Sequence, residues 1–540
     1  MTATSSWTFA PTIREQVDRI FEPWTTSETP GMTVGIYRYG EPVYLQAYGM
    51  SNLEHDIPLS TGSIFHVASI SKQFTDACIA LLAAENLLDI DDEVRRYIPE
   101  LPDFGPTITI RHLIHHTSGL RDQWSLLNMS GWREEDLVTT DDVLDLVRRQ
   151  RALNFAPNTE YLYSNTGYTL LSVIVHRVSG KTLREFAHER IFAPLGMTST
   201  HVHDDHAEIV RGRTQAYQPR KNGGYRISIP EFDVVGTTSL FTTVEDLARW
   251  EANFHTGEVG GPDLIAMLQT PGTFNDGSPM SYAWGLQVAE WRGQRRVGHS
   301  GADHGYRADF LRLPDLGFAV AVLSNVSDSL PGQLTERVAE TVLGNLLEPS
   351  RPPIVRSPDK DVPTPAELAG MWKSDDGHRH LVLSSRDGRL WLDSGTEQTA
   401  FNENPPGVFT LPSARLAISD GVDLDHLGVS LAGAEITMDR IQPWHPTPSE
   451  IESLTGIYWS DELGVAYEIV PDGDGTEATV AIRRRKHADE TFLPFTPWSF
   501  IRGNLDGGQR LDFQRDEAGA VSGFTLSNGR VRNLAFTRHE

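Results

Sequence analysis

The chain has 540 residues, too long for one ordinary core, so two to four domains are expected. Its composition, 39% hydrophobic and 22% charged, is that of a soluble globular protein. The 47 basic and 73 acidic residues leave a net charge of −26, which argues against nucleic acid or an anionic membrane surface as a partner.

Met1-Thr2-Ala3-Thr4-Ser5-Ser6-Trp7 has no basic segment followed by an apolar run. Neither a signal peptide nor a transmembrane span is read there, and a cytoplasmic location is expected. Residues 30–49 predict a hairpin, with Met32 to Arg38 and Pro42 to Tyr48 as apolar or aromatic runs around Tyr39-Gly40. Residues 69–87 contain no Gly or Pro and predict a buried helix. The single cysteine, Cys78, lies within it, where it reads as a small core residue; with one cysteine no intrachain disulfide can form. Helical segments punctuated by Gly and Pro fill 106–250, among them Thr182 to Ile191 ahead of Ala193-Pro194-Leu195-Gly196. Strand character returns at Tyr282 to Ala289, Arg295 to Gly298, Ala308 to Leu313 and Gly317 to Asn325, and a helix over about 332–347 follows. Strands at both ends of a helical middle predict one α/β domain over 1–347, its sheet shared by early and late segments.

Six prolines between Glu348 and Pro365 mark a linker, 348–363. Short strands and turns follow it, as in His380 to Asp393 around Arg386-Asp387-Gly388. An internal repeat pairs Gly370-Met371-Trp372-Lys373-Ser374-Asp375 with Gly456-Ile457-Tyr458-Trp459-Ser460-Asp461. Each copy follows a Thr-Pro pair with an acidic residue two further on, Glu367 or Glu450. Two related antiparallel β-barrels, 364–446 and 447–540, are expected; a single large β domain is the alternative.

The chemistry centres on Ser69-Ile70-Ser71-Lys72, at the head of the buried helix. Residues three apart on a helix share a face, so the Lys72 amine can reach the Ser69 hydroxyl. A serine hydroxyl is a weak nucleophile until a neighbouring base activates it. A second Ser-x-x-Lys, Ser357-Pro358-Asp359-Lys360, falls in the Pro-rich linker, where no helix can align the pair. In Tyr163-Ser164-Asn165 a tyrosine near a lysine ammonium can act as general base and then acid. Asn165 can orient Lys72 and a substrate carbonyl. In Gly298-His299-Ser300-Gly301-Ala302, small residues on an edge strand allow a substrate backbone to approach. Backbone N–H groups there and at Ser69 can form an oxyanion hole. His115-His116-Thr117-Ser118-Gly119-Leu120 reads as a structural loop near the site.

Val67-Ala68-Ser69-Ile70-Ser71-Lys72-Gln73-Phe74-Thr75, His116-Thr117-Ser118-Gly119-Leu120, Tyr163-Ser164-Asn165, Phe192-Ala193-Pro194-Leu195-Gly196-Met197 and His299-Ser300-Gly301 occur in this order. Together they resemble the serine β-lactamase and penicillin-binding-protein superfamily in its class C-like branch, over about residues 15–345. With its two β-barrels the whole chain is similar to the three-domain D-aminopeptidases of that superfamily, a similarity to which Ser118-Gly119-Leu120-Arg121-Asp122-Gln123-Trp124 adds. The resemblance implies an antiparallel sheet flanked by helices, with a helical subdomain. It implies Ser69 as nucleophile forming an acyl-enzyme, and Lys72 and Tyr163 sharing the proton transfers as a coupled pair. Asn165 and His299 join them, the N–H groups of Ser69 and Ala302 form the oxyanion hole, and Ser300 and Gly301 contact substrate. No metal or cofactor is implied. Members of the superfamily are often dimers, so a homodimer is a candidate assembly.

Penicilloyl-binding members carry Lys-Thr-Gly where this chain has His299-Ser300-Gly301. A histidine neutral at pH 7 offers no fixed cation for a substrate carboxylate, so esters, amides and aminopeptidase substrates fit better than β-lactams. In D-aminopeptidase-like proteins a loop of the last barrel supplies groups for the substrate amine. The matching stretch is 483–491, with Asp489 as candidate anion and Gln287 as polar neighbour; its basic residues suggest a solvated turn equally well. The expected activity is release of N-terminal D-amino acids from small peptides, amides or esters. The alternatives are an esterase or a penicillin-binding-type cyclase or thioesterase using the same serine, and a catalytically silent binding protein on the same fold.

His201-Val202-His203-Asp204-Asp205-His206 fits the His-x-His-x-Asp-His pattern of metallo-β-lactamase-like hydrolases. That fold places the pattern after an apolar strand, whereas here it follows Gly196-Met197-Thr198-Ser199-Thr200. Catalytic metal binding is not expected.

Overall fold

A computed structural model describes residues 10–349, 363–393, 398–403, 408–411, 415–417, 424–431, 434–472, 478–484 and 487–539. Most of the 348–363 linker, with its second Ser-x-x-Lys, lies outside the described residues, as do Arg485 and Lys486. The chain forms two compact units. One comprises the described residues up to Leu120 together with Arg133–Arg148 and Phe155–Pro349; the other comprises Arg121–Trp132, Arg149–Asn154 and the C-terminal chain.

The first unit is built on a six-stranded antiparallel sheet. Its strands are β1 (Met32–Arg38), β2 (Glu41–Tyr48), β3 (Gln287–Trp291), β4 (Gln294–Asp303), β5 (Tyr306–Leu313) and β6 (Phe318–Ser324), in the order β3-β4-β5-β6-β1-β2. Residues 280 or more apart meet within it, where Met32 pairs with Ser324 and Arg38 with Phe318. The sheet is therefore shared by early and late segments, as the pattern predicted. β1 and β6 are buried almost throughout, which is why they read as continuous apolar runs rather than alternating ones. Helix α1 (Pro11–Ile20) packs Val17 and Ile20 against Val34, Ile36, Val320 and Val322 on one face, together with Val338 of a helix at Pro331–Leu343. On the other face Tyr37 donates its hydroxyl to Val244 O at 2.6 Å.

The buried helix begins as a 3₁₀ turn, Ala68–Ser71, and continues as α2 (Lys72–Ala84). All but its last two residues are buried, so its sequence carries no polar stripe. Two elements differ from expectation. The strand predicted from Tyr282 begins only at Gln287: Ala283 N–H donates to Leu286 O at 2.7 Å, closing a turn in which Gly285 takes a positive φ. The helix predicted over Thr182 to Ile191 is α-helical only at Leu183–Ala187, and His188–Phe192 winds as a π turn.

The second unit is β-rich. Eight strands between Gly456 and His539 close into a barrel, and the preceding nine between Gly370 and Ile441 form an antiparallel sheet that stays open among the described residues. The repeat is structural. Thr364 and Thr447 each cap a short helix with a capping box to Glu367 or Glu450, and a glycine at extreme positive φ turns each copy into its first strand. Trp372 and Tyr458 then fill equivalent core positions, donating back to Leu368 O and Leu454 O. The helix Gln123–Met129 belongs to this unit: Tyr467 donates to Met129 O, Arg484 to Asn128 O, and the buried Arg121 pairs with Glu462. Nothing in the local sequence of 121–132 signals that attachment. No helix among the described residues is long and apolar enough to cross a membrane.

Candidate active site

Ser69 sits at the start of α2 because the chain turns sharply there. Ala68 has a φ of 48°, a left-handed conformation uncommon for alanine, and such strain concentrates at functional sites. Ser71 Oγ locks the turn, donating to Ala68 O at 2.5 Å and accepting from Leu240 N at 3.0 Å. Ser69 remains partly exposed, whereas Lys72 is fully buried.

Lys72 Nζ reaches Ser69 Oγ at 3.1 Å, Asn165 Oδ1 at 3.0 Å, Thr237 O at 2.7 Å and Thr237 Oγ1 at 2.9 Å. An ammonium has three protons to donate, and a neutral amine has two protons and a lone pair. The same cradle thus accommodates both forms, and only the neutral amine can accept the Ser69 proton. Asn165 opens helix α3 (Asn165–Ser179), and Thr237 Oγ1 also donates to Asn165 Oδ1. Lys72 Nζ stands 4.9 Å from the Tyr163 ring centroid, where a cation favours the phenolate.

His299 lies on β4, 6% exposed, with its ring 6.1 Å from that of Tyr163. Its Nδ1 is 2.6 Å from Ser300 O, which can only accept, so Nδ1 carries the proton. Nε2 accordingly accepts from the Tyr282 hydroxyl at 3.1 Å. Burial, with the Lys72 charge adding to it, lowers the His299 pKa to about 4. The imidazole is neutral at pH 7, in line with the sequence argument. Gly301 is required by close approach, because a Cβ there would lie 2.2 Å from Val67 O. β4 is thereby pressed against the Ser69 turn, with Ser300 and Ala302 exposed beside it.

Gln287 is exposed at the start of the edge strand β3, opposite Gly298 in register. Asp489, in the second unit, is exposed and ion-paired with Arg483 at 3.1 Å. Three contributors went unnoticed in the sequence, and a fourth was read as structural. Thr237 supplies two of the Lys72 contacts. Tyr282 donates its hydroxyl to His299 Nε2. His116, read as structural, packs its ring 4.2 Å from that of Tyr163 while its Nδ1 accepts from Ser164 N. Gly285 lets the 283–286 turn sit on the Lys72–Gln73 backbone, where a Cβ would come within 2.4 Å of Gln73 N.

A six-stranded antiparallel sheet shared by early and late segments, with a buried Ser-x-x-Lys helix against its strand β4, defines a class of fold rather than one protein. Residues 12–343 match the Beta-lactamase family, and the chain belongs to that family. It is similar to the D-aminopeptidase of Brucella canis, 25% identical over 94% of this chain and 96% of the relative. Among solved structures it resembles the octameric penicillin-binding protein homologue from Pyrococcus abyssi, at 19% identity and a TM-score of 0.56, covering 88% of this chain and 98% of that one. It also resembles the D-amino acid amidase from Ochrobactrum anthropi SV3, at 21% identity and a TM-score of 0.51, covering 62% and 99%.

Proposed function

We propose that the protein is a serine hydrolase working through an acyl-enzyme on Ser69, with 1–347 as its catalytic domain, and that it releases N-terminal D-amino acids from small peptides, amides or esters. The observation that carries this reading is the 3.1 Å contact between Lys72 Nζ and Ser69 Oγ inside a buried polar cradle. In the proposed cycle Ser69 Oγ attacks the substrate carbonyl carbon as its proton passes to Lys72 or Tyr163. The oxyanion is held by the N–H groups of Ser69 and Ala302. The proton then goes to the leaving amine or alkoxide as its bond to the carbonyl breaks. Water attacks the ester and returns the proton to Ser69. The D-aminopeptidase and D-amino acid amidase among the similar proteins support this substrate class, and the neutral His299 supports substrates without a carboxylate at that point.

One observation favours a second reading, an esterase using the same serine. Asp489, the anion expected to receive a substrate amine, is ion-paired with Arg483 within its own unit.

A panel of D- and L-amino-acid p-nitroanilides, short-chain p-nitrophenyl esters and nitrocefin tests both readings. D-anilides are expected to turn over fastest; esters alone would leave the esterase. Ser69→Ala is expected to abolish all turnover and fluorophosphonate labelling while the fold persists. Labelling that survives in this variant would refute the serine assignment.

A further inference from the structure

The His201–His206 run has no part in the proposed hydrolysis, yet its side chains converge. His201 and His203 are two apart in extended chain and project from the same face. The short strand His201–Val202 pairs with Leu240–Thr242, and Phe241 there holds both rings: His201 stacks on it at 5.6 Å, and His203 meets it edge-on at 4.7 Å. His203 N–H donates to Ser239 O at 2.8 Å, which fixes the backbone. Glu208 returns to the same place through a turn closed by its N–H on Asp205 O. One ligand atom from each of His201, His203 and Glu208 lies within 4.8 Å of the others, and His203 Nδ1 is 3.6 Å from Glu208 Oε2. Tetrahedral zinc with bonds of about 2.0–2.2 Å spaces its N and O ligands by about 3.3–3.6 Å, so atom pairs up to 4.8 Å apart must close by up to about 1.5 Å to complete the site.

Two further observations point to a cation. His201 Nε2 and His203 Nδ1 are buried and have no hydrogen-bond partner among the described residues, with His203 only 6% exposed. A buried polar nitrogen left so calls for an explanation. The Glu208 carboxylate is oriented in advance by Arg184, whose Nη1 and Nη2 donate to its two oxygens at 2.7 and 2.8 Å. A carboxylate has about four lone-pair sites, so the guanidinium leaves room for a metal bond. Asp204 Oδ1, 2.9 Å from Arg184 Nη1, offsets the charge of that arginine.

We propose that His201, His203 and Glu208 form a zinc site that is structural, not catalytic. Three protein ligands with water in the fourth position are a donor set common in catalytic zinc sites, but the proposed hydrolysis uses none of the three, so the role assigned to the ion is structural. The ion ties the 203–208 turn to the strand Leu240–Thr242, which directly follows the Thr237–Ser239 segment.

The test uses the full chain, freed of metal by chelation and titrated with ZnCl2, and with CoCl2 as a spectroscopic probe. One zinc per chain, a raised Tm and a four-coordinate cobalt spectrum are expected. His201→Gln and Glu208→Gln should each weaken affinity at least tenfold, with the circular dichroism spectrum and substrate turnover kept. Asp233→Asn, in the neighbouring Asp205, His206 and Asp233 cluster, should leave zinc affinity unchanged. Substoichiometric binding, or binding that survives both His201→Gln and Glu208→Gln, overturns the site. Turnover that is lost on chelation and restored by zinc overturns its structural role.

Discussion

Thr237 shows how much of the site one unremarked residue can carry. It is 165 positions from Lys72, yet its carbonyl and hydroxyl oxygens both contact the Lys72 amine. Thr237→Val keeps the carbonyl and removes the hydroxyl. A hydrogen bond to a charged group is worth about 1.5–3 kcal/mol, so kcat/KM is expected to fall about 10- to 100-fold. A pH–rate profile distinguishes this from a general loss of structure, because its limbs should shift as the Lys72 environment changes. His299 permits a prediction of the opposite sign. His299→Lys introduces a cation where burial now keeps a neutral imidazole. Hydrolysis of carboxylate-bearing β-lactams relative to esters should rise about tenfold, a preference of about 1.4 kcal/mol; an unchanged ratio would discard the carboxylate argument.

At the scale of elements, the C-terminal repeat shows local sequence rules acting twice. Thr364 with Glu367, and Thr447 with Glu450, form the same capping box before the same glycine, strand and buried aromatic. Thr447→Ala removes the side-chain oxygen that accepts from Glu450 N. It should lower stability by about 1 kcal/mol, read as a drop in Tm with no change in turnover. These caps were legible because each lies within four residues of sequence. The closed barrel over 447–540 was expected from the repeat, and Gly456–Ser460 closes it by pairing with the last strand, Ile457 opposite His539. That the preceding sheet stays open among the described residues was not legible, since closure depends on strands far apart in the chain. The strand expected from Tyr282 failed for a related reason. A positive φ at Gly285, matched to the backbone of α2, outweighs the apolar run around it.

The whole molecule should be sensitive to acid. Burial lowers the pKa of His115, His299 and His380 to about 4, from about 6.5 in an unfolded chain. Between those values the unfolded chain binds more protons than the folded one, so stability is full above about pH 6.5 and is lost as pH falls toward 4. Each group then withdraws about 2 kcal/mol by pH 5. The urea midpoint should drop steeply between pH 6.5 and 5 and stay flat above pH 7; a flat midpoint across the whole range would show these imidazoles charged in the fold. By itself the sequence determined what depends on neighbours in the chain: the Ser69–Lys72 pair on one helical face, the Tyr163–Asn165 turn, the His299–Gly301 strand motif, the capped repeats and a sheet drawing on both ends of the first domain. Only the tertiary structure decided that Thr237 completes the lysine cradle, that Tyr282 bonds to His299 Nε2, and that 121–132 joins the C-terminal unit. Such contacts join residues far apart in the chain with no spacing rule between them. They exist because buried polar groups must find partners wherever the folded chain brings them.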